Sequence, residues 1–227
     1  MRRSVPTPSM CVMLLSTSRF QELPPAFWEE AVRANPHGLG LMTAGTGGAR
    51  CGRTMTYSAR SIGQMLRDIP AGRPFALHLR LATAGAVSLA NTHPVRLRLG
   101  RGASAGLMHN GTLAQFAGRN DGRSDSVAFA QEWLGPRLRR NPGCLQEPGT
   151  LAQIADLAGP VNRLILLDGM GRWSLVGEHE GFWLGATWVS NPKAKAWLEG
   201  GGSSIAQPAP TFALPSLRAP GPSMVAA

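Results

Sequence analysis

Lysine is almost absent: two of the 23 basic residues, Lys193 and Lys195, are lysines and the rest are arginines. Acidic side chains are also sparse, 13 against 23 basic, so the 227-residue chain carries a formal charge of +10. The arginines are scattered, with concentrations only at 96–101 (RLRLGR) and 137–140 (RLRR). Aromatics make up 6% of the chain, with a single tyrosine, too few to interleave with the arginines as single-strand nucleic-acid binding requires. The charge therefore predicts a solvated or interface role. Nucleic acid is disfavoured as a partner, although net charge alone does not exclude it. No apolar run reaches the roughly 18 residues of a membrane span, so no membrane partner is expected and the chain reads as soluble and cytoplasmic. Cysteine is limited to Cys11, Cys51 and Cys144, an odd number with no C-x-x-C pair, which argues against a disulfide framework or a thiolate zinc site. The five histidines show no H-E-x-x-H spacing, so no metal and no cofactor is expected. A phosphate-binding G-x-x-x-x-G-K-[ST] loop is missing as well, and with it any sign of a second domain that activates an acceptor.

What is present fits one sizeable core: 43% hydrophobic and 16% charged residues. Residues 1–10 read as a leader or a mis-assigned start that is removed. Residues 11–198 read as the working domain. Residues 199–227, rich in Gly, Pro, Ser and Ala, read as a disordered tail. Within the domain, the run from Cys11 to Ser16 is short and strand-like, and 23–36 carries a helix with proline in its first turn. Two strands flank GTGGAR (45–50) as a hairpin, and Ser58 caps a helix with Ile62, Met65, Leu66 and Ile69 on one face. In 74–83, Phe75, Leu77, Leu79 and Leu81 alternate with His78 and Arg80, the period of a strand. Strands follow at 95–99 and 105–109. Ser124 caps a helix to about Arg140 that should break near Gly135-Pro136. Thr150 caps a helix ending at Gly159, and strands in tight turns fill 162–191. Strands grouped in hairpins, not in βαβ units, indicate an α+β fold.

Four segments carry chemistry: MC (10–11), HLRLATAG (78–85) with NTHP (91–94), MHNGT (108–112) and RSDS (123–126). Each has a plain structural reading. Cys11 could be a buried small hydrophobe, Asn110-Gly111 a hairpin turn, Arg80 an ion-pair residue and Asp125 a helix N-terminal acid. Together and in this order they resemble the class II glutamine amidotransferase domain of the N-terminal nucleophile hydrolases. That family shows Met-Cys, H-x-R-x-A-T-x-G, N-x-H-P, H-N-G and S-D in this order. The resemblance covers about 10–198. Ala84 and Val95 depart from it, standing where histidine, and phenylalanine or histidine, are commoner.

The resemblance implies two stacked antiparallel sheets between helical layers, and release of ammonia from the side-chain amide of L-glutamine. It assigns Cys11 as nucleophile, and Asn110 with the Gly111 N–H as oxyanion donors. It gives Arg80 to the substrate α-carboxylate with Thr83 adding a hydroxyl, and Asp125 to the α-ammonium. The family usually passes its ammonia to a second, acceptor-activating domain; with no sign of one here, the acceptor is expected on a separate synthetase partner, or the chain acts as a stand-alone glutaminase or amidohydrolase.

The residue types agree with this chemistry. A thiol with a pKa of about 8.5 is mostly protonated at neutral pH. A free α-amine, with a pKa of about 7.7–8.0, can take its proton. A peptide nitrogen cannot, so the base exists only if Cys11 comes first, either because Met10 is the true start and is trimmed or because a short leader is self-processed. Two alternatives keep the fold: an amidohydrolase acting on another amide such as a γ-glutamyl compound, and a non-catalytic binding protein. Cys51 and Cys144 read as structural.

Overall fold

The computed structural model describes residues 11–18, 20, 22–82, 85–118 and 121–198. The leader, the tail and Thr83 and Ala84 lie outside them. Two antiparallel sheets face each other. Sheet A has six strands in the order β3-β2-β4-β1-β10-β9: β1 (Val12–Ser16), β2 (Leu39–Thr43), β3 (Arg50–Thr54), β4 (Phe75–Leu79), β9 (Phe182–Leu184) and β10 (Thr187–Val189). Sheet B has the order β5-β6-β7-β8: β5 (Val95–Arg98), β6 (Ser104–Asn110), β7 (Arg163–Asp168) and β8 (Trp173–Val176).

Side-chain alternation sorts these strands into four layers. On β1, Val12 and Leu14 face outward into a core with α1 (Pro25–Ala34), α2 (Ala59–Arg67) and α6 (Lys195–Leu198), contributed by Phe27, Trp28, Ala31, Ile62 and Leu66. Met13 and Leu15 face inward and meet Met42, Ala76, Met108, Ile165, Leu167 and Trp188 between the sheets. On β7 the same alternation sends Leu164 and Leu166 outward to a third core. Its helices are α3 (Asp125–Phe129), α4 (Gly135–Arg140) and α5 (Pro148–Ala158). The result is the helix–sheet–sheet–helix sandwich of the expected α+β class, with both central strands buried on both faces.

Local chemistry explains the helix ends. Pro25 opens α1, where its missing N–H costs nothing. Ser58 and Ser61 exchange side-chain-to-backbone bonds as a capping box on α2. Two expectations are corrected. The helix from Ser124 does not break at Gly135-Pro136; it widens one turn earlier, over Ala130–Leu134, where the Gly135 N–H donates to the Ala130 carbonyl five residues back. Pro136 has no N–H and its ring crowds the carbonyl four residues before it, so the wider turn relieves that clash without ending the helix. A Cβ on Gly135 would stand 2.7 Å from the Ala130 oxygen, so this turn needs glycine. Thr150 is not the cap of α5. That helix starts at Pro148 with Glu147 as its N-cap residue, because proline's fixed φ suits the first helical position.

Gly40 in β2 lets the 91–94 segment lie across the inner face of sheet A. A Cβ there would stand 1.7 Å from the His93 carbonyl oxygen, a backbone atom that cannot turn away. Gly52 in β3, opposite Leu41, has nothing within 4 Å of its Cβ position. Urea unfolding of Gly40→Ala should show a loss of about 3 kcal/mol. Gly52→Ala should lie between neutral and about 1 kcal/mol more stable. Equal effects at the two sites would contradict the crossing.

Candidate active site

The antiparallel pairing of Val12 with Leu79 brings the start of β1 beside the end of β4. Cys11 therefore sits next to Arg80 and Leu81. Its thiol donates to the Leu81 carbonyl and accepts from the Leu81 N–H, both at 3.2 Å, continuing the ladder with a side chain. Burial pushes the Cys11 pKa up. The Leu81 bond and the Arg80 charge pull it down, and Asp125 adds to the rise. The Arg80 guanidinium in turn feels Cys11 and Asp125. These three groups, from β1, the end of β4 and the start of α3, thus share one electrostatic neighbourhood. Among the described residues no histidine hydrogen-bonds the thiol.

Asn110 ends β6 on the face toward sheet A. Its Nδ2 donates to the Cys11 carbonyl at 2.6 Å and to Ser190 Oγ at 3.2 Å. Ser190, fully buried after β10, also accepts the Met13 N–H at 2.9 Å. Gly111 does not turn a hairpin; the chain passes on to α3. Its φ of +134° and a Cβ position 2.0 Å from Asn162 Oδ1 both require glycine. The Asp125 carboxylate accepts from Leu113 N–H at 2.7 Å through Oδ2 and from Ser126 N–H at 2.7 Å through Oδ1. Ser124 caps α3 through Val127 N–H, so the capping reading of RSDS holds alongside any other role. Arg80 is buried and donates to the Ala86 carbonyl at 3.1 Å. The structure thus gathers Cys11, Arg80, Asn110, Gly111 and Asp125 at one end of the sandwich, and Thr83 lies outside the described residues.

Three polar residues with no role in the sequence reading also belong here: Ser190, Asn162 and Asn91. Asn162 donates to the Ala158 carbonyl at 2.5 Å, which turns its Oδ1 toward His109 Nε2 at 2.8 Å. The bond assigns the proton to Nε2, leaving Nδ1 to accept from the Ser126 hydroxyl at 2.8 Å. The only signal in sequence is that NRLILL and TWVSN place a polar residue at the end of an apolar strand.

His78 and His93 meet edge to face, centroids 4.6 Å apart, with His109 6.4 Å from His93. None of the four ring nitrogens of His78 and His93 has a hydrogen-bond partner among the described residues. Burial pushes the His78 pKa down to about 3, with the His109 and Arg80 charges adding to it, and burial likewise holds His93 well below its usual value and lowers His109. All three are held in the neutral form at physiological pH. Among the described residues no group of three or more His, Cys, Asp or Glu could hold a metal ion, and no helix is long and apolar enough to cross a membrane.

These histidines protonate in the unfolded chain near pH 6.5 and resist protonation in the fold. The unfolded state therefore binds more protons as pH falls, and stability drops. Urea unfolding should show full stability above pH 6.5 and a decline below it. For each buried imidazole the slope approaches about 1.4 kcal/mol per pH unit. His78→Leu should flatten the decline between pH 6.5 and 5; an unchanged slope would remove His78 from this role.

No protein-family model matches the chain, and no curated protein does. Among solved structures it is similar to one described as the allosteric regulatory enzyme of purine biosynthesis, at 17% identity and a TM-score of 0.44 over 83% of this chain and 43% of that one. It is also similar to the glutamine phosphoribosylpyrophosphate amidotransferase of B. subtilis in complex with ADP and GMP. There the identity is 17% and the TM-score 0.41, again over 83% of this chain and 43% of that one. The chain thus spans less than half the length of the solved structures to which it is similar.

Proposed function

We propose that the chain hydrolyses the side-chain amide of L-glutamine through Cys11 and releases ammonia for an acceptor on a separate synthetase partner. The observation that supports this reading is geometric: the β1–β4 pairing sets the Cys11 thiol on Leu81, directly after the buried Arg80, and Asn91 ties the Ala86 carbonyl that Arg80 holds to the Ser124 N–H just before Asp125. A thiol, a cation and an anion together match the amide, α-carboxylate and α-ammonium of one substrate.

The chemistry needs a base because burial holds the thiol protonated. With residues 1–10 removed, the Cys11 α-amine takes the thiol proton, directly or through a water. The thiolate attacks the amide carbon and its carbonyl oxygen becomes an oxyanion. Asn110 and the Gly111 N–H are the donors for it, each worth roughly 3–4 kcal/mol when aligned. Both Asn110 N–H bonds are engaged in the structure, and the longer one, to Ser190, is the one that yields. The protonated Cys11 α-amine returns that proton to the departing nitrogen and ammonia leaves. The thioester carbon then takes up water, giving glutamate and the free thiol. Arg80 holds the α-carboxylate, with Thr83 beside it, and Asp125 the α-ammonium.

One observation favours a second reading, hydrolysis of another amide whose acyl part carries no α-ammonium. Both Asp125 oxygens already accept N–H bonds, as a purely structural acid would. Comparing L-glutamine with N-acetylglutamine separates the readings, because only the first needs a free α-ammonium.

Ammonia release should be saturable in L-glutamine and fall at least about 1,000-fold in Cys11→Ala. Arg80→Lys keeps the charge but not the planar fork, and should raise KM about tenfold or more. Turnover surviving in Cys11→Ala would overturn the proposal.

A further inference from the structure

The Asn91 side chain joins the two segments that carry Arg80 and Asp125. It is 4% exposed. Its Nδ2 donates to the Ala86 carbonyl at 3.3 Å and to the Gly122 carbonyl at 2.9 Å, and its Oδ1 accepts the Ser124 N–H at 2.9 Å. Ala86 O is the same carbonyl that Arg80 Nη1 reaches at 3.1 Å. Ser124 is the cap residue directly before Asp125, and its N–H donates to Asn91. Gly85 packs beside this junction: a Cβ there would lie in ordinary contact, 3.5 Å from Asn91 Nδ2 and 3.4 Å from Ser124 Cα. One carboxamide therefore bridges the segment after β4 that holds a buried cation and the start of α3 that holds a buried anion, at sequence positions 45 residues apart.

We propose that Asn91 is a positioning residue that sets the Arg80–Asp125 spacing and so determines selection for a substrate with both an α-carboxylate and an α-ammonium. This rests on the glutaminase reading above. A carboxamide is suited to the task because it donates and accepts in one plane, and the two clamp segments need both: two carbonyls on one side, an N–H on the other. Its influence is on binding of the amino-acid end, not on the thiol.

The test is steady-state ammonia release by wild type, Asn91→Ala and Asn91→Asp. The substrates are L-glutamine, N-acetylglutamine, which lacks the α-ammonium, and glutaminamide, which lacks the α-carboxylate. The rate of Cys11 alkylation by iodoacetamide is measured beside them. Asn91→Ala should raise KM for L-glutamine at least about tenfold with kcat within about threefold. Preference for L-glutamine over the two analogues should fall at least about tenfold, and alkylation should stay within about twofold of wild type. Asn91→Asp keeps the acceptor for Ser124 and loses both donors, so it should raise KM in the same direction.

A fall in kcat and alkylation with KM and preference unchanged would overturn the inference. If neither variant folds, the Cys11→Ala chain carries the test. L-glutamine, but not glutaminamide, should shift the Asn91 side-chain amide resonances, and unshifted resonances would overturn it. Wild-type inactivity on L-glutamine, with analogues turned over, would instead remove the glutaminase reading on which the inference rests.

Discussion

The thiol of Cys11, held between the N–H and the carbonyl of Leu81 at the head of the β1–β4 ladder, is the interaction on which the rest depends. Backbone bonds fix where the sulfur is. The same burial that fixes it also disfavours its charged form. A nucleophile so placed needs a base close by, and the three buried histidines are neutral and directed elsewhere. His109 is committed to Ser126 and Asn162, and His78 and His93 to the space between the sheets. In the proposed reading the base is the amine of the same residue, which ties activity to the removal of everything before Cys11.

The architecture sets up this site by bringing strand ends together. β1 starts, and β4, β6 and β10 finish, at one end of the sandwich, where the ladders run out and polar groups replace backbone partners. Ser190 Oγ takes the Met13 N–H in place of a carbonyl, and Asn110 takes the Cys11 carbonyl in place of an N–H. Two buried carboxamides, Asn91 and Asn162, then fasten loops and the start of α3 to this end. The cost is a set of buried imidazoles with unpaired nitrogens, which makes the fold sensitive to acid.

Much of this was legible in the sequence, for reasons that differ by element. The strict alternation of Phe75, Leu77 and Leu79 with His78 and Arg80 placed β4 and told its two faces apart, because one inner face carries polar groups. β1 and β7 show no such alternation. Both of their faces are buried, so VMLLS and RLILLD read as strands without saying which side chain points where. The widened turn before Pro136 escaped because proline in a helical pattern looks the same whether the helix ends or bulges. Cys11, Arg80, Asn110, Gly111 and Asp125 were singled out by the order of their motifs, and the fold brings them to one end of the sandwich. Asn91 stood inside one of those motifs without a role, and Ser190 and Asn162 stood in none. Each acts through the place to which a strand end delivers it, which a linear pattern does not contain.

The proposed mechanism requires Cys11 to be the first residue of the chain. The most direct measurement is ammonia release from L-glutamine by two preparations, each weighed intact by mass spectrometry. One begins at Cys11 and the other retains residues 1–10. The account predicts turnover confined to the species that begins at Cys11. Equal turnover by the chain that keeps residues 1–10 would contradict it, because a peptide nitrogen cannot take the thiol's proton.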